Sequence, residues 1–210
     1  MTLTLPNEPE FGQPLAIGGR NDEVLRFLAL RRSASAALLG APGPDESELA
    51  NLLRLAARVP DHGKLFPWRF IVLRGKAKAD YVAALEPLAP VQANPEKAMA
   101  ALAKVRNPPV SVCVVSRLLE APIPEWEQRL SSAAACMTLL IAAQAAGYGA
   151  NWITDWYAYD AQATAVLGLS GEERVAGFVH IGTAAETPLE RVRPAVADLI
   201  SVWSPQPRPR

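Results

Sequence analysis

Cysteine and histidine are scarce in this chain, with two of each among 210 residues. A zinc site needs three or four such ligands, and these four residues lie far apart in sequence, so there is almost no material for one. Cys113 and Cys136 both lie in apolar runs, which favours two buried free thiols over a structural disulfide. His180 lies in the apolar run Gly-Phe-Val-His-Ile-Gly, where we expect a hydrogen-bonded core histidine.

Neither sign of charge is in excess. Lysine plus arginine and aspartate plus glutamate each number 21, so the formal net charge is zero and no basic stripe for nucleic acid is evident. The longest apolar stretch, Ala133 to Ala146, is interrupted by Thr138 and Gln144 and falls short of the roughly 20 apolar residues that span a bilayer. The N-terminus also lacks a basic segment followed by an apolar one. We therefore expect a cytoplasmic protein without a nucleic-acid or membrane partner.

Several catalytic and nucleotide-binding motifs are missing. The chain contains no Gly-x-x-x-x-Gly-Lys-Ser/Thr phosphate loop and no Gly-x-Gly-x-x-Gly fingerprint after a strand. It also contains no Gly-x-Ser-x-Gly nucleophile elbow and no His-Glu-x-x-His pair. A hydrolase triad would have to use His62 or His180. These absences favour chemistry carried out by a bound cofactor over catalysis by side chains alone.

The apolar pattern predicts strands separated by helices in a single domain over residues 1–210, without a repeat or a linker. Asp45 and Glu48 form a predicted capping box, which opens a helix that ends before Pro60. Other helical patterns are at 24–30, 76–86, 95–105 and 124–146, and in a short helix capped by Asp160. Strand candidates are 70–73, 110–115, 151–154 and 175–181. The alanine-rich helix 124–146 is expected to be central, with Gly147 as its C-cap.

Both ends of the chain are predicted to be extended arms. Residues 1–20 contain Pro6, Pro9 and Pro14, and residues 188–210 are also rich in proline. Such arms either wrap around a partner or remain disordered. A second copy of the chain is the economical partner, and the near-zero net charge gives little self-repulsion against it.

Two groups of arginines could bind a phosphate. Arg31, Arg32 and Ser33 follow the first helical pattern, and guanidinium groups donate bidentately to phosphate oxygens. Arg191 and Arg193 lie two residues apart in an extended segment, so their side chains project to the same side. Taken alone, the first group is more simply a basic helix end that complements the helix dipole, and the second an exposed basic turn.

Two further segments concentrate unusual residues. The segment from Arg58 to Phe70 carries Arg, Asp, His and Lys in a loop that leads through Pro-Trp into a strand. Binding groups often lie in such loops, and Asp61 could orient the imidazole of His62, but a solvated turn is the competing interpretation. In the segment Gly147 to Asp155, glycines after a helix either let a flat ligand approach the backbone or only end the helix.

In this order the four motifs resemble the nitroreductase family of FMN enzymes, most closely its short branch of minimal nitroreductases. The similarity covers about residues 24–194, and the Pro-Asp-His and Pro-Trp-Arg-Phe sequences are its most specific part. The resemblance implies an α/β (α+β) fold with a mixed central sheet flanked by helices and terminal arms exchanged in a homodimer. It also implies that NAD(P)H reduces a nitro, quinone or similar small acceptor through N5 of an FMN bound at the interface.

The resemblance assigns one set of residues to the phosphate end of FMN. Arg31, Arg32 and Ser33 match positions that hold the phosphate and the ribityl chain. Arg191 and Arg193 match a C-terminal basic pair near the phosphate in many relatives. The two arginine groups, ambiguous when taken singly, are therefore expected to meet at one site.

A second set of residues is implied to contact the isoalloxazine ring. Arg58 and His62 match flavin contacts that reach across from the other subunit. Trp152, Ile153 and Thr154 match a segment whose backbone runs beside the ring. No side chain is expected to act as a nucleophile, because the flavin carries the chemistry.

The chain departs from the family pattern in two places. Many relatives carry Trp-Arg-Ser/Thr-Gly where residues 152–155 read Trp-Ile-Thr-Asp. That change is expected to alter the pocket above the ring, which bears on nicotinamide preference and substrate class. The arm before residue 20 is also longer than a minimal member needs.

The resemblance also matches residues 142–147 to the nicotinamide contact. Two other functions stay open, namely an oxygen-dependent, flavin-consuming enzyme and a non-enzymatic flavin-binding protein.

Overall fold

The computed structural model describes residues 3–16 and 18–204, so residues 1, 2, 17 and 205–210 of the predicted arms lie outside the described residues. Its α-helices are α1 (Asp22–Leu30), α2 (Glu46–Ala56), α3 (Gly75–Leu85), α4 (Pro95–Ala101), α5 (Ala103–Arg106), α6 (Glu125–Ala145) and α7 (Ala161–Val166). Its strands are β1 (Leu39–Gly40), β2 (Trp68–Arg74), β3 (Val110–Ser116), β4 (Gly149–Ile153) and β5 (Arg174–Ala184). No helix in the described part is both long enough and apolar enough to cross a membrane.

The strands form one sheet in the order β1-β5-β3-β2, with β4 also paired to β5. Strand β5 is central, because β3, β4 and β1 all pair with it. Every pairing among the described residues is antiparallel, whereas a mixed sheet was expected. The combination of helices with this sheet is nevertheless that of the expected α+β fold.

Helices cover both faces of the sheet and leave β3 buried along its whole length. Its Val112 and Val114 belong to one core cluster, formed with α2 and α6. Its Cys113 and Val115 belong to a second cluster, formed with α3 and α7 on the other face. A strand that is buried on both faces has a continuous apolar sequence, which does not distinguish parallel from antiparallel pairing. The apolar pattern therefore could not have corrected the expected strand directions.

Several local predictions are confirmed. Asp45 and Glu48 form the capping box of α2, and Asp160 caps α7. The backbone of Gly147 has a φ of +89°. Its N–H donates to the carbonyl of Gln144 at 3.0 Å, and the next N–H donates to the carbonyl of Ala143 at 3.0 Å. Helix α6 thus ends in a Schellman motif, so glycine at 147 serves the helix end.

The predicted helix 95–105 is divided into α4 and α5 at Leu102. Around Leu102 the backbone hydrogen bonds join residues three apart, since Leu102 donates to Met99 and Val105 donates to Leu102. This tighter 3₁₀ pattern interrupts the α-helix without turning the chain out of its path. Helix α6 is well packed from Ser131 onward, as predicted, but Trp126 near its start is 68% exposed.

The two arms differ in how they are held. The N-terminal arm runs along α2, where Asn51 donates to the carbonyl of Leu3 at 3.0 Å and Arg54 contacts the carbonyl of Pro6. The C-terminal arm is extended apart from a 3₁₀ turn at Val196–Leu199, and its described residues after 188 are exposed. Its large apolar side chains therefore have little cover from the described residues of the chain.

Candidate active site

The two predicted arginine groups lie together in the folded chain. Arg32 Nε donates to the carbonyl of Leu189 at 2.9 Å and lies 3.7 Å from Glu190 Oε1. Arg193 Nε donates to the same carboxylate oxygen at 3.1 Å. The chain leaves α1 at Arg31 in an extended conformation, and the C-terminal arm returns across it. Residues separated by about 160 positions thus form one basic cluster, as the resemblance implied.

Gln144 joins this cluster from the last turn of α6. Its Oε1 accepts from Arg31 Nε at 3.0 Å, and its amide donates to the backbone carbonyl of Arg32 at 2.7 Å. Arg31 Nη2 also donates to Ser33 Oγ at 3.3 Å. Sequence reasoning included Gln144 only in the 142–147 segment matched to the nicotinamide contact and did not predict its bonds to the arginine segment. The available signal was its polar amide within an otherwise apolar stretch, since such groups need hydrogen-bond partners when they are covered.

The cluster carries more positive than negative charge. Four arginines and two glutamates lie in the two segments that meet here: Arg31, Arg32, Arg191, Arg193, Glu186 and Glu190. Burial lowers the pKa of Arg31, and the nearby charges of Arg193 and Arg32 lower it further. Arg32 lines two cavities, of about 210 and 200 Å³. The unbalanced charge of about +2 matches a phosphate monoester, which carries about −1.5 to −2 near neutral pH.

His62 lies at a different place, where a loop meets the first turn of α6. Its Nδ1 is 2.7 Å from Oε2 of Glu127. The prediction that Asp61 orients this imidazole is wrong, because Asp61 Oδ2 accepts the backbone N–H of Phe66 at 2.8 Å. Aspartate side chains commonly bond to nearby backbone in this way, and here Nδ1 of His62 is paired with Glu127 instead.

Arg58 lies just beyond the end of α2 and is exposed. It has no hydrogen bond or ion pair with a described residue through its side chain, whereas Arg54 one turn earlier pairs with Glu8 at 3.7 Å. Arg58 lines a cavity of about 280 Å³ together with residues of the N-terminal arm. It is thus available to a ligand or a second chain.

The basic cluster and the His62 loop lie at opposite ends of one helix. Gln144 is in the last turn of α6 and Glu127 is in its first turn. At about 1.5 Å per residue, these positions are about 25 Å apart along the helix axis. The structure therefore does not bring the predicted phosphate-binding arginines together with His62 within one chain.

Strand β4 supplies the remaining predicted residues. Trp152 packs its indole against Gly177 and donates from Nε1 to the carbonyl of Ala176 at 3.4 Å. Ile153 ends the strand, and the hydroxyl of Thr154 accepts from Tyr159 at 2.8 Å. Trp152 borders the same face of the sheet as α6, because it packs on the cluster that contains that helix. Ile153, the next residue of the strand, points to the other face, where its paired residue Phe178 lies in the second cluster.

Asp155, one of the departures from the family pattern, has structural partners. Its carboxylate forms an ion pair with Lys104 at 2.7 Å and accepts the backbone N–H of Trp156 at 2.7 Å. The second bond caps the 3₁₀ turn Trp156–Ala158. The aspartate thus ties the end of β4 to α5.

Sequence comparisons match this chain to known nitroreductases. The model of the Nitroreductase family matches residues 28–183. "Putative NAD(P)H nitroreductase YdjA" of Escherichia coli K12 is 32% identical over 166 residues, which are 77% of this chain and 88% of that protein. The "Putative NAD(P)H nitroreductase" of Haemophilus influenzae is 32% identical over 78% of this chain and 90% of its own length.

Solved structures show the same fold. A nitroreductase-like family protein from Bacillus cereus has a TM-score of 0.76 at 19% identity, covering 90% of this chain and 99% of that one. A "putative nitroreductase in complex with FMN" from Desulfovibrio desulfuricans has a TM-score of 0.68 at 21% identity, covering 89% of this chain and 100% of that one. The chain belongs to the nitroreductase family. Its class is therefore that of the FMN-dependent NAD(P)H oxidoreductases.

Proposed function

We propose that this chain forms a homodimer that uses FMN to pass electrons from NAD(P)H to a nitro, quinone or similar small acceptor. The basic cluster at the end of α1 carries this proposal. Its excess positive charge and its geometry suit one terminal phosphate, which FMN possesses.

Each predicted residue group has a role in this proposal. The phosphate is held by Arg31, Arg32 and Arg193. It replaces the carboxylate of Glu190 as a partner of the arginines, or it binds beside that carboxylate. Ser33, whose hydroxyl already accepts from Arg31, is in reach of the ribityl chain. Charge-assisted bonds from guanidinium groups to phosphate are among the stronger hydrogen bonds in proteins. Arg191 adds charge from the exposed arm and helps to attract the anion.

The ring end of the flavin is bordered by Trp152, Ile153 and Thr154. When bound, FMN would supply the redox chemistry, which is the transfer of hydride from NAD(P)H to the second substrate. The protein residues bind the flavin, orient its ring and limit access of water. Residues 142–147, the last turn of α6 and its Schellman motif, lie beside the basic cluster and are the proposed nicotinamide contact.

The site needs two chains. The His62 loop is about 25 Å from the basic cluster along α6, so one FMN held by Arg32 meets Arg58 and His62 from a second copy. Helix α1 exposes an apolar face, with Val24, Leu25 and Leu28 each 45–55% exposed. The C-terminal arm exposes large apolar side chains as well: Leu189, Val192, Val196, Leu199, Ile200, Val202 and Trp203. A second copy would cover both surfaces.

The primary test is spectroscopic. Purified protein, reconstituted with FMN if necessary, should lose its oxidised-flavin absorption on anaerobic addition of NADPH or NADH. A nitroaromatic or quinone should then restore that absorption, with parallel double-reciprocal plots in steady state because one flavin serves both substrates in turn. A protein that cannot be loaded with FMN would refute the proposal. Aerobic consumption of the reduced flavin itself would favour the oxygen-dependent alternative.

The shared site is tested by mixing two variants, Arg32→Ala and His62→Ala, at an FMN concentration at which each variant alone is inactive. If the residues act from different subunits, a mixed dimer has one site with both lesions and one site with neither. Partial return of activity after subunit exchange is expected. No return, when exchange has been demonstrated by mass labelling, would place both residues on the same subunit's flavin or would remove one of them from it.

A further inference from the structure

Glu127 contacts a residue of the proposed site, yet neither the sequence motifs nor the proposed function assigns it a role. Its Oε2 lies 2.7 Å from Nδ1 of His62, across 65 positions of the chain. Glu127 is in the first turn of α6, and His62 begins the 3₁₀ turn His62–Lys64. Both residues line a cavity of about 300 Å³ whose walls include Pro60 and Leu130.

The His62 loop does not depend on this contact for its attachment to α6. Ser131 Oγ donates to the carbonyl of Pro60 at 2.8 Å, and Ser132 Oγ donates to the carbonyl of Pro67 at 2.9 Å. Trp68 Nε1 donates to Ser131 Oγ at 3.2 Å. These bonds fasten the loop on both sides of His62. The side chains of His62 and Glu127 are 63% and 44% exposed, and ion pairs that exposed contribute little to folding.

The backbone of this loop is held in conformations that most residues avoid. Positive φ angles occur at Gly63 (79°), Lys64 (56°) and Phe66 (49°). An added Cβ at Gly63 would lie 3.0 Å from Ile123 Cγ1, so the turn is also closely packed. Strained backbone of this kind persists where the surrounding structure enforces it, and it is concentrated at functional sites. The loop thus presents His62 from a constrained platform.

We propose that Glu127 is a positioning residue for His62 at the flavin site. By accepting the Nδ1 proton of His62, its carboxylate selects one tautomer and one ring orientation, and leaves Nε2 as the nitrogen that meets the ligand. A carboxylate behind a ligand-binding imidazole sets the tautomer and the orientation of the ring in this way elsewhere in proteins. This inference rests on the proposed role of His62 toward the flavin of the partner subunit.

The test is a double-mutant cycle on FMN affinity, measured by fluorescence titration of the flavin-free dimer. Glu127→Ala is expected to weaken FMN binding about tenfold, equivalent to ~1.4 kcal/mol. In a His62→Ala background the same change should have almost no further effect, because Glu127 acts only through the imidazole. Glu127→Gln should restore most of the affinity, since its amide oxygen can still accept from Nδ1.

Glu125→Ala is the matched control. Glu125 lies in the same first turn of α6 but pairs with Arg129 one turn further along that helix and does not contact His62. It should leave FMN affinity within about twofold, a change of well under 1.4 kcal/mol. Thermal melting of each flavin-free variant identifies any loss of folding, and the absorption spectrum of bound FMN reports the environment of the ring independently of turnover.

The outcomes separate this inference from the proposed function. If Glu127→Ala weakens binding equally with and without His62, Glu127 acts on its own and the inference is overturned. If Glu127→Gln is as weak as Glu127→Ala, the hydrogen bond to Nδ1 is not the cause and the inference is again overturned. If His62→Ala binds FMN as the wild type does, His62 does not contact the flavin, and the inference about Glu127, which depends on that contact, is overturned with it. A wild-type chain that binds no FMN would refute the proposed function itself.

Discussion

The two histidines of this chain have opposite environments. His180 is fully buried in β5, and its Nδ1 is 2.8 Å from Ser111 Oγ, so the expectation of a hydrogen-bonded core histidine is confirmed. Burial lowers its pKa to about 3, with the charges of Lys104 and Lys78 adding to the effect. His180 therefore stays neutral near pH 7. His62 is exposed beside Glu127 and is the histidine available to a ligand.

The buried histidine should make folding pH-dependent. Between about pH 6.5 and pH 3 the unfolded chain binds a proton at His180 that the folded chain does not, so the free energy of unfolding falls as the pH falls. From pH 7 to pH 5 this residue should remove about 2 kcal/mol. Urea unfolding at a fixed protein concentration measures it, with His180→Asn as the comparison because its amide can replace Nδ1. An equal fall in the variant would contradict the prediction.

The arginines at the end of α1 should recognise the phosphate of the cofactor in particular. Arg32→Ala is expected to weaken FMN binding about ten- to a hundredfold, since a hydrogen bond to a charged group contributes about 1.5–3 kcal/mol. Riboflavin, which lacks the phosphate, should bind the variant and the wild type alike. Arg26→Ala, on the exposed surface of α1, is the control. An equal loss of affinity for riboflavin would show that Arg32 acts elsewhere on the ligand.

At the scale of elements, strand β4 and its neighbour β5 shape the proposed ring site. Trp152 pairs with Val179 in the antiparallel register, and its indole lies over Gly177. Position 177 needs glycine because of a contact and not because of its backbone angle. Its φ is not positive, but the indole of Trp152 fills the space that a Cβ would occupy. The predicted motif after α6 thus depends on a residue of another strand that the motif does not contain.

Substitution of Gly177 by alanine should displace Trp152. The added Cβ would lie 2.0 Å from Trp152 Nε1 and 2.5 Å from its Cδ1, so the indole has to move. We expect overpacking to cost about 1–3 kcal/mol of folding stability and FMN affinity to fall with it. Gly40→Ala in β1 is the control, since nothing lies within 4 Å of its Cβ position. Fluorescence titration with FMN measures the effect, and unchanged affinity in a folded variant would separate Trp152 from the flavin.

At the scale of the whole molecule, two segments of the described chain each expose several large apolar side chains. Helix α1 is amphipathic but buries no residue, and the C-terminal arm is exposed from residue 189 to residue 204. Contiguous apolar surface of this kind marks an interaction site in a folded protein. The basic cluster lies between the two surfaces, so the same contact that covers them would enclose the cofactor.

Charges introduced on α1 should therefore disrupt both assembly and cofactor binding. Light scattering of the wild type should give twice 22.5 kDa. Leu25→Glu combined with Leu28→Glu should yield monomers that bind FMN weakly, because a buried carboxylate without a partner is costly. Val91→Glu is the control, since Val91 is 74% exposed and lies outside α1 and the arms. A monomeric wild type that retains FMN would refute the shared site.

Local and motif-level features followed from the sequence by itself. The capping box of α2, the Schellman end of α6 and the buried position of His180 depend on interactions among nearby residues or on simple hydrophobicity. The family could also be named from the order and spacing of its motifs, because spacing preserves the positions of cofactor-binding groups. The convergence of Arg32 with Arg193 was implied by that resemblance.

Only the tertiary structure decided which groups that are distant in sequence contact one another. The antiparallel course of the sheet, the bond from Gln144 to Arg31 and the ion pair of Lys104 with Asp155 all join segments distant in sequence. The partner of His62 was mistaken for the same reason. Sequence proximity favoured Asp61, but the 3₁₀ turn aims that carboxylate at backbone while α6 brings Glu127 to the imidazole. Such contacts depend on how elements pack, and packing is set by the whole core rather than by any local pattern.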